Sequence, residues 1–262
     1  MTTPTDEELR DEVRAHYGKV AREGASCCGP SCCTPGGGDS VALRVGYSGE
    51  DVAAVPEGAN LGLGCGNPQA IAALQPGETV VDLGSGGGFD CFLAARAVGP
   101  AGRVIGVDMT PDMISRARQN AARAAVANVE FRLGEIEHLP VADAVADAVI
   151  SNCVINLSPD KPAVLREAFR VLRPGGRLAV SDVLALRPVP ADLRRDLALY
   201  SGCVGGAATS EETERRLREA GFVDIRITVD QAATEAMAKM TPPGIDLASL
   251  AASARIEARR PG

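Results

Sequence analysis

The sequence predicts an α/β fold built on a doubly wound, mostly parallel, seven-stranded sheet, and three observations carry that expectation. From Glu78 onward, short runs rich in Val, Ile and Leu alternate with segments of helical period, the pattern of right-handed βαβ units. A glycine-rich turn, Gly84-Ser85-Gly86-Gly87-Gly88, separates the first of these runs from the helix after it. The length of 262 residues suits one such domain with a small addition.

The elements follow in order. Residues 5–23 place Leu9, Val13, Tyr17 and Val20 at helical spacing behind the capping signal Thr5-Asp6-Glu7-Glu8, so an amphipathic helix comes first. Gly24 to Asp39 crowds Cys, Gly and Pro without either period and is expected to be a loop or flexible segment. Val41 to Gly66 reads as irregular, and Gln69–Leu74 as a short helix ended by Pro76-Gly77. Strand Thr79–Leu83, helix Asp90–Val98, strand Arg103–Asp108 and helix Pro111–Ala125, opened by Thr110, begin the regular part. Strands Asn128–Leu133 and Ala146–Asn152, helix Lys161–Leu172 and strand Gly176–Asp182 continue it. A less regular block spans Leu186 to Gly206; helix Ser210–Ala220, strand Phe222–Val229 and the alternating run Ala254–Ala258, suited to an antiparallel edge, complete the seven strands. Residues 230–252, with Met237, Met240 and the Pro242-Pro243 break, suit either a lid or a packing helix. The expected division is 1–66 as an N-terminal helix and Cys-rich extension, 67–185 as the cofactor domain and 186–262 as a smaller C-terminal region.

Composition narrows the function. Acidic groups outnumber basic ones, 34 to 27, giving a net charge of −7 with no Lys/Arg run, so nucleic acid is not an expected partner. The N-terminus is charged where a secretory signal needs an apolar stretch, and nowhere do 18 consecutive apolar residues occur; no membrane association and a cytoplasmic location are expected. Eight cysteines without an export signal argue against a disulfide framework and for metal, metalloid or redox chemistry. His16 and His138 are the only histidines and stand far apart, which leaves little material for Cys/His zinc sites or Cys-His hydrolase pairs. His138, in a polar loop, is expected to be solvated.

The glycine turn lies where a ligand approaches bare backbone. Asp82 stands just before its first glycine, and Val104–Asp108 is a second strand ending in an acid, Asp108, placed for two ribose hydroxyls. A carboxylate ahead of the first glycine would repel a pyrophosphate and suits the cationic amino-acid end of S-adenosylmethionine. NAD binding, or a turn that merely packs helix on sheet, are the competing readings.

Ligands of open parallel sheets bind outside the carboxyl ends of the strands, and Cys153 lies just past the fourth strand end. Alone, it would read as a small buried hydrophobe. Cys65 and Cys203, however, occupy glycine-flanked loops, where packing gives no reason for cysteine. Three thiols on three mobile segments that could converge above the sheet suit a soft three-coordinate centre better than tetrahedral zinc. Cys91, on the helix after the glycine turn, is expected to be structural.

The stretches VVDLGSGGG, GVDMT, Gly134-Glu135-Ile136 and LRPGG resemble the S-adenosylmethionine methyltransferase superfamily, whose fold is Rossmann-like. That resemblance implies Asp82, Gly84, Ser85 and Gly86 at the methionine end, Asp108 at the ribose, Met109, Gly134, Glu135 and Ile136 around the adenine, and Asn152 facing the cofactor. More narrowly, NLGLGCGNP, GEIEHLP, SNCVINLSPDK and SGCVGGA resemble the arsenite S-adenosylmethionine methyltransferase family from about Arg14 to the C-terminus. The resemblance implies that Cys65, Cys153 and Cys203 bind As(III), with Cys65 needed for the first round. It implies arsenite and methylarsenite as substrates, delivered as thiol complexes, methylated arsenicals as products, and thioredoxin or glutathione as reductant. Cys27, Cys28, Cys32 and Cys33 form CCGPSCC, which has no residue-by-residue match; it suits arsenic collection or disulfide exchange, or no role in turnover. A methyltransferase for a small organic acceptor, and a non-catalytic thiol trap for soft metals, are the other function classes. An intact cofactor turn counts against the trap.

Overall fold

The computed structural model of the chain describes residues 5–23, 37–194, 196–240 and 249–262. Helix α1 (Asp6–Glu23) starts where the capping signal placed it: the Thr5 amide donates to Glu8 Oε2 at 2.7 Å and the Glu8 amide to Thr5 Oγ1 at 3.2 Å, satisfying amides that an open helix end leaves unpaired. Val13 and Val20 are buried, Leu9 and Tyr17 half-buried. The region read as a loop and irregular chain holds two short helices, α2 (Gly37–Arg44) and α3 (Gly49–Ala54). Residues 37–39, assigned to the Cys-rich loop, are thus helical. Both helices are too short for periodicity to announce, although Ser48 and Asp51 form a reciprocal cap that the sequence does carry. Helix α4 (Gln69–Ala72) follows.

The sheet comprises β1 (Thr79–Leu83), β2 (Arg103–Asp108), β3 (Val129–Leu133), β4 (Ala146–Asn152), β5 (Leu172–Ala185), β6 (Ala208–Thr209), β7 (Val223–Val229) and β8 (Ala251–Arg259). Its order is β3-β2-β1-β4-β5-β8-β7, with β6 pairing alongside β5. The first five strands are parallel, and β8 runs antiparallel between β5 and β7. The expected strands all form, with two differences: the run Ala254–Ala258 is antiparallel as expected but is not an edge, because β8 is paired on both sides and β7 takes the edge, and a short strand is added, β6, which at two residues has no alternation to read. Helices α5 (Phe89–Val98), α6 (Pro111–Arg123), α7 (Lys161–Val171) and α10 (Ser210–Glu219) connect the strands, and α8 (Ala191–Arg194) and α9 (Leu197–Ser201) break up the less regular block. Helix α11 (Gln231–Met240) buries Ala233 and Ala236, so this part of residues 230–252 is a packing helix.

Period-two alternation divides the core. Val80, Val104, Ala148 and Ile150 pack under Phe92, Val98, Ile114 and Ala117 of α5 and α6, while Val81, Leu83, Ile105, Val107 and Val149 meet Val164, Leu165 and Leu217 of α7 and α10. The chain leaves β1 outward through β2 and β3 and returns to its other side at β4. The switch point therefore lies between β1 and β4, where open sheets leave a crevice. A third cluster caps that end and contains Val13, Cys65, Leu157, Val183, Tyr200 and Cys203. No described helix is long and apolar enough to cross a membrane.

Candidate active site

A cavity of about 570 Å³ opens at the switch point, within the size range of cofactor sites. One end is the β1–α5 turn. Gly84 and Ser85 donate their amides to Val107 O at 2.8 and 3.0 Å, and the Gly86 amide donates to Asp108 Oδ2 at 2.9 Å, which binds the turn to the end of β2. The glycines differ in purpose. Gly84 (φ +69°) faces Val154, whose methyls a Cβ would overlap, whereas Gly86 (φ +52°) has nothing within 4 Å of that position. Gly84→Ala is expected to cost about 1–3 kcal/mol of folding stability through overlap and left-handed strain, read by urea unfolding. Gly86→Ala, with strain alone, costs about 1 kcal/mol and fills the cavity instead.

Three carboxylates line this end, Asp82 and Asp90 buried and Asp108 half-buried. Burial, then the neighbouring Asp90, holds Asp82 well above the usual carboxylate range. Burial also raises Asp90 and Asp108. Asp82 accepts a hydrogen bond from Cys91 Sγ at 3.2 Å, and Cys91 is fully buried among apolar side chains, the structural place expected for it. Ser85 Oγ is buried without a partner. Paired acids short of cations, with an orphan hydroxyl beside an open glycine, suit a ligand bearing positive charge and hydrogen-bonding groups.

The other end holds the cysteines. Cys65, Cys153 and Cys203 all line the same cavity. Cys203 Sγ donates to Cys153 O at 2.9 Å, and the Cys153 thiol interacts with those of Cys65 and Cys203. Cys65 Sγ, Cys153 Sγ and a carboxylate oxygen of Asp182 lie within 4.8 Å of one another; Cys203 joins through Cys153. Burial pushes the Cys65 thiol up to about 11. For Cys153 the interaction with Cys203 lowers the value, but that with Cys65 and burial leave it well above the ordinary one. The interaction with Cys153, and burial, raise Cys203. The thiols thus rest protonated.

Sequence reasoning missed that Cys153 (φ +58°) and Cys203 (φ +66°) both sit in the left-handed region, which is costly for a side chain and concentrates at functional sites. Hydrogen bonds hold these turns: the Cys153 amide donates to Ser181 O at 2.8 Å and that of Cys203 to Tyr200 O at 2.9 Å, and Tyr200 OH donates to Leu157 O at 3.2 Å. Asp182 was also missed. Its Oδ1 accepts from Asn156 Nδ2 at 2.9 Å and from the Val183 amide at 2.7 Å, and burial raises it to about 6. Helix α1 closes the cavity with Arg10, Val13 and Tyr17, held by Arg10 on Glu137 at 3.4 Å and Tyr17 OH on Ser201 O at 3.2 Å.

Of the other expected site residues, Met109, Ile136 and Asn152 line the cavity. Gly134 and Glu135 are not among its lining residues: a Cβ on Gly134 would meet Pro140, and Glu135 pairs with Arg10 and Arg14 at 3.8 and 3.5 Å. Glu137 takes the place by the cavity expected for Glu135. His138 is exposed. Cys27, Cys28, Cys32 and Cys33 lie outside the described residues.

A family model described as a methyltransferase domain matches residues 74–221. The chain is 52% identical to an arsenite methyltransferase of Halobacterium salinarum, over 97% of this chain and 67% of that protein. It is 41% identical to one of Aquipseudomonas alcaligenes, over 85% and 64%, and 33% identical to the Homo sapiens one, over 87% and 61%. It therefore spans 61% to 67% of the length of these curated relatives. The crystal structure of an arsenic(III) S-adenosylmethionine methyltransferase from Chlamydomonas reinhardtii is similar at TM-score 0.62 and 35% identity, covering 85% of this chain and 73% of that one.

Proposed function

The chain belongs to the arsenite methyltransferase family, and on that premise we propose that it transfers methyl groups from S-adenosylmethionine to trivalent arsenic held by Cys65, Cys153 and Cys203. The observation that carries the reading is one cavity with buried acids at one end and three neighbouring cysteines at the other. The division of labour follows the chain. Residues 67–185 form the cofactor domain, 1–66 bring Cys65 and the covering helix, and 186–262 bring Cys203.

The residues fit the cofactor. Asp82 and Asp90 would face its ammonium group, Ser85 Oγ and the open backbone at Gly86 its methionine end, Asp108 its ribose, and Met109 and Ile136 its adenine. When bound, S-adenosylmethionine supplies an electrophilic methyl group on a sulfonium centre. Helix α1 excludes water from the reacting end, and the thiols fix the acceptor in line, which is the main contribution a site can make to such a transfer.

Arsenite offers three exchangeable oxygens. As each thiol replaces a hydroxide, its proton leaves with that hydroxide as water, so the raised thiol values are no obstacle to loading. The arsenic lone pair attacks the methyl carbon without a proton to remove, and no general base is needed. Methyl transfer leaves the arsenic formally pentavalent. Two thiolate ligands then leave together as a disulfide, returning two electrons to it, and an external thiol reductant such as thioredoxin or glutathione reopens the disulfide. A cytoplasmic site of action suits these reduced thiols.

Methylarsenite has one position occupied by carbon and takes two thiolates. Cys65→Ser is therefore expected to lower arsenite turnover by roughly a hundredfold or more and to leave methylarsenite turnover within about threefold of the parent, as followed by chromatographic arsenic speciation. Incubation with labelled cofactor, arsenite and a dithiol tests the function itself. Label should appear in methylated arsenicals, and label found only in organic acceptors, without need of the dithiol, would refute it.

A further inference from the structure

We propose that Asn152 is the positioning residue that holds Cys65 for arsenite, with Tyr47 and Asp90 as its supports; this rests on Cys65 being an arsenic ligand. Cys65 lies in chain with no helix or strand, so side chains must fix its place. Asn152 Oδ1 accepts from the Cys65 amide at 3.1 Å, and Nδ2 donates to Gly66 O at 2.8 Å and to Tyr47 OH at 2.9 Å. A carboxamide has two N–H groups, and the loop and Tyr47 take both. Nδ2 also lies 3.3 Å from Asp90 Oδ2. Tyr47 OH donates to Asp90 Oδ1 at 2.7 Å, which fixes the amide from behind. The expected cofactor-facing role thus leaves this side chain no spare donor for the cavity.

The loop is shaped to this contact. Gly64 has φ +112°, and a Cβ there would stand 2.8 Å from Asn152 Nδ2, so only glycine lets the backbone lie against the amide. From the other side Ser253 Oγ donates to Cys65 O at 2.6 Å. Both backbone polar groups of Cys65 are thereby held by side chains from β4 and β8, and its sulfur stands within 4.8 Å of that of Cys153. A thiol ligand on an unpinned loop would lose this convergence, and an ångström of displacement is enough to slow a reaction that depends on placement.

The consequence is selective, because methylarsenite does not need Cys65. Asn152 also lines the cofactor cavity beside Asp90, so Asn152→Ala is expected to slow both acceptors, but to lower kcat/KM for arsenite at least about tenfold more than for methylarsenite. Tyr47→Phe, which lies outside the cavity lining, should move the ratio the same way by a smaller factor. Alkylation by N-ethylmaleimide, with each cysteine followed by peptide mass spectrometry, should label Cys65 about tenfold faster in Asn152→Ala because the loop opens more often, with buried Cys91 as the internal reference. Equal loss for the two acceptors, or unchanged labelling of Cys65, overturns the proposal. If Asn152→Ala does not fold, Tyr47→Phe decides by the same two readouts. If the parent does not methylate arsenite, the proposed function fails, and the labelling alone still decides whether Asn152 holds Cys65.

Discussion

Replacing Cys153 or Cys203 with serine is expected to abolish methylation of arsenite and methylarsenite alike, to below about a thousandth of the parental rate. Serine keeps the size of the side chain but is a hard oxygen donor that exchanges with arsenic-bound hydroxide at no gain, whereas thiolates hold a soft centre. With Cys153 and Cys203 as the pair that holds methylarsenite and Cys65 serving arsenite alone, either loss leaves methylarsenite with one sulfur of that pair and removes the dithiol that returns electrons after transfer. Structural damage is separable from chemical loss here, because both residues have left-handed backbones, φ +58° and +66°. Cys153→Gly relieves that strain and should be about 1 kcal/mol more stable than Cys153→Ser in urea unfolding, yet be equally inactive. Activity surviving in either Cys153 variant would remove it from the mechanism.

The second large effect is at the opposite end of the cavity. Asp82→Asn should weaken S-adenosylmethionine binding by roughly a hundredfold, the cost of removing one of the two carboxylates that face a buried ammonium, as measured by calorimetric titration. The same change should stabilise the protein without cofactor. Burial and Asp90 raise Asp82 above its unfolded value, so the folded state favours the protonated acid. Its favourable contribution is complete below the unfolded value near 3.8 and is lost as pH rises through the folded one. The stability advantage of Asp82→Asn over the parent should therefore grow as pH rises, and saturating cofactor should erase it. An advantage that is the same at every pH would contradict burial of Asp82 as an unpaired acid.

The sheet was legible in the sequence because each central strand buries both faces, which leaves near-continuous Val, Ile and Leu runs such as Val104–Val107. Strand β6 and helices α2 and α3 were not, since two to eight residues carry too few positions to show a period. At the site, Asp82 and Asp108 could be read because they are the next-to-last and last residues of strands in a parallel sheet, where local position fixes the side chain. Asn152 was legible as a site residue but not in its role, because its partners Tyr47 and Cys65 are 105 and 87 residues away. Asp90 and Asp182 share that difficulty: what marks them is burial beside other acids or thiols, a tertiary property. Gly84 and Gly86 look alike in the motif, and only Val154, brought in from the end of β4, separates a packing glycine from an open one.

Arsenic K-edge X-ray absorption of the arsenite-loaded protein is the most direct test of the central claim, performed on the full chain with Cys27, Cys28, Cys32 and Cys33 replaced by serine so that only the cavity thiols report. Three sulfur neighbours and no oxygen around the arsenic are expected, with a sulfur lost and an oxygen gained in Cys65→Ser. A spectrum retaining oxygen neighbours in the parent, or unchanged by Cys153→Ser, would contradict an arsenic centre built from Cys65, Cys153 and Cys203.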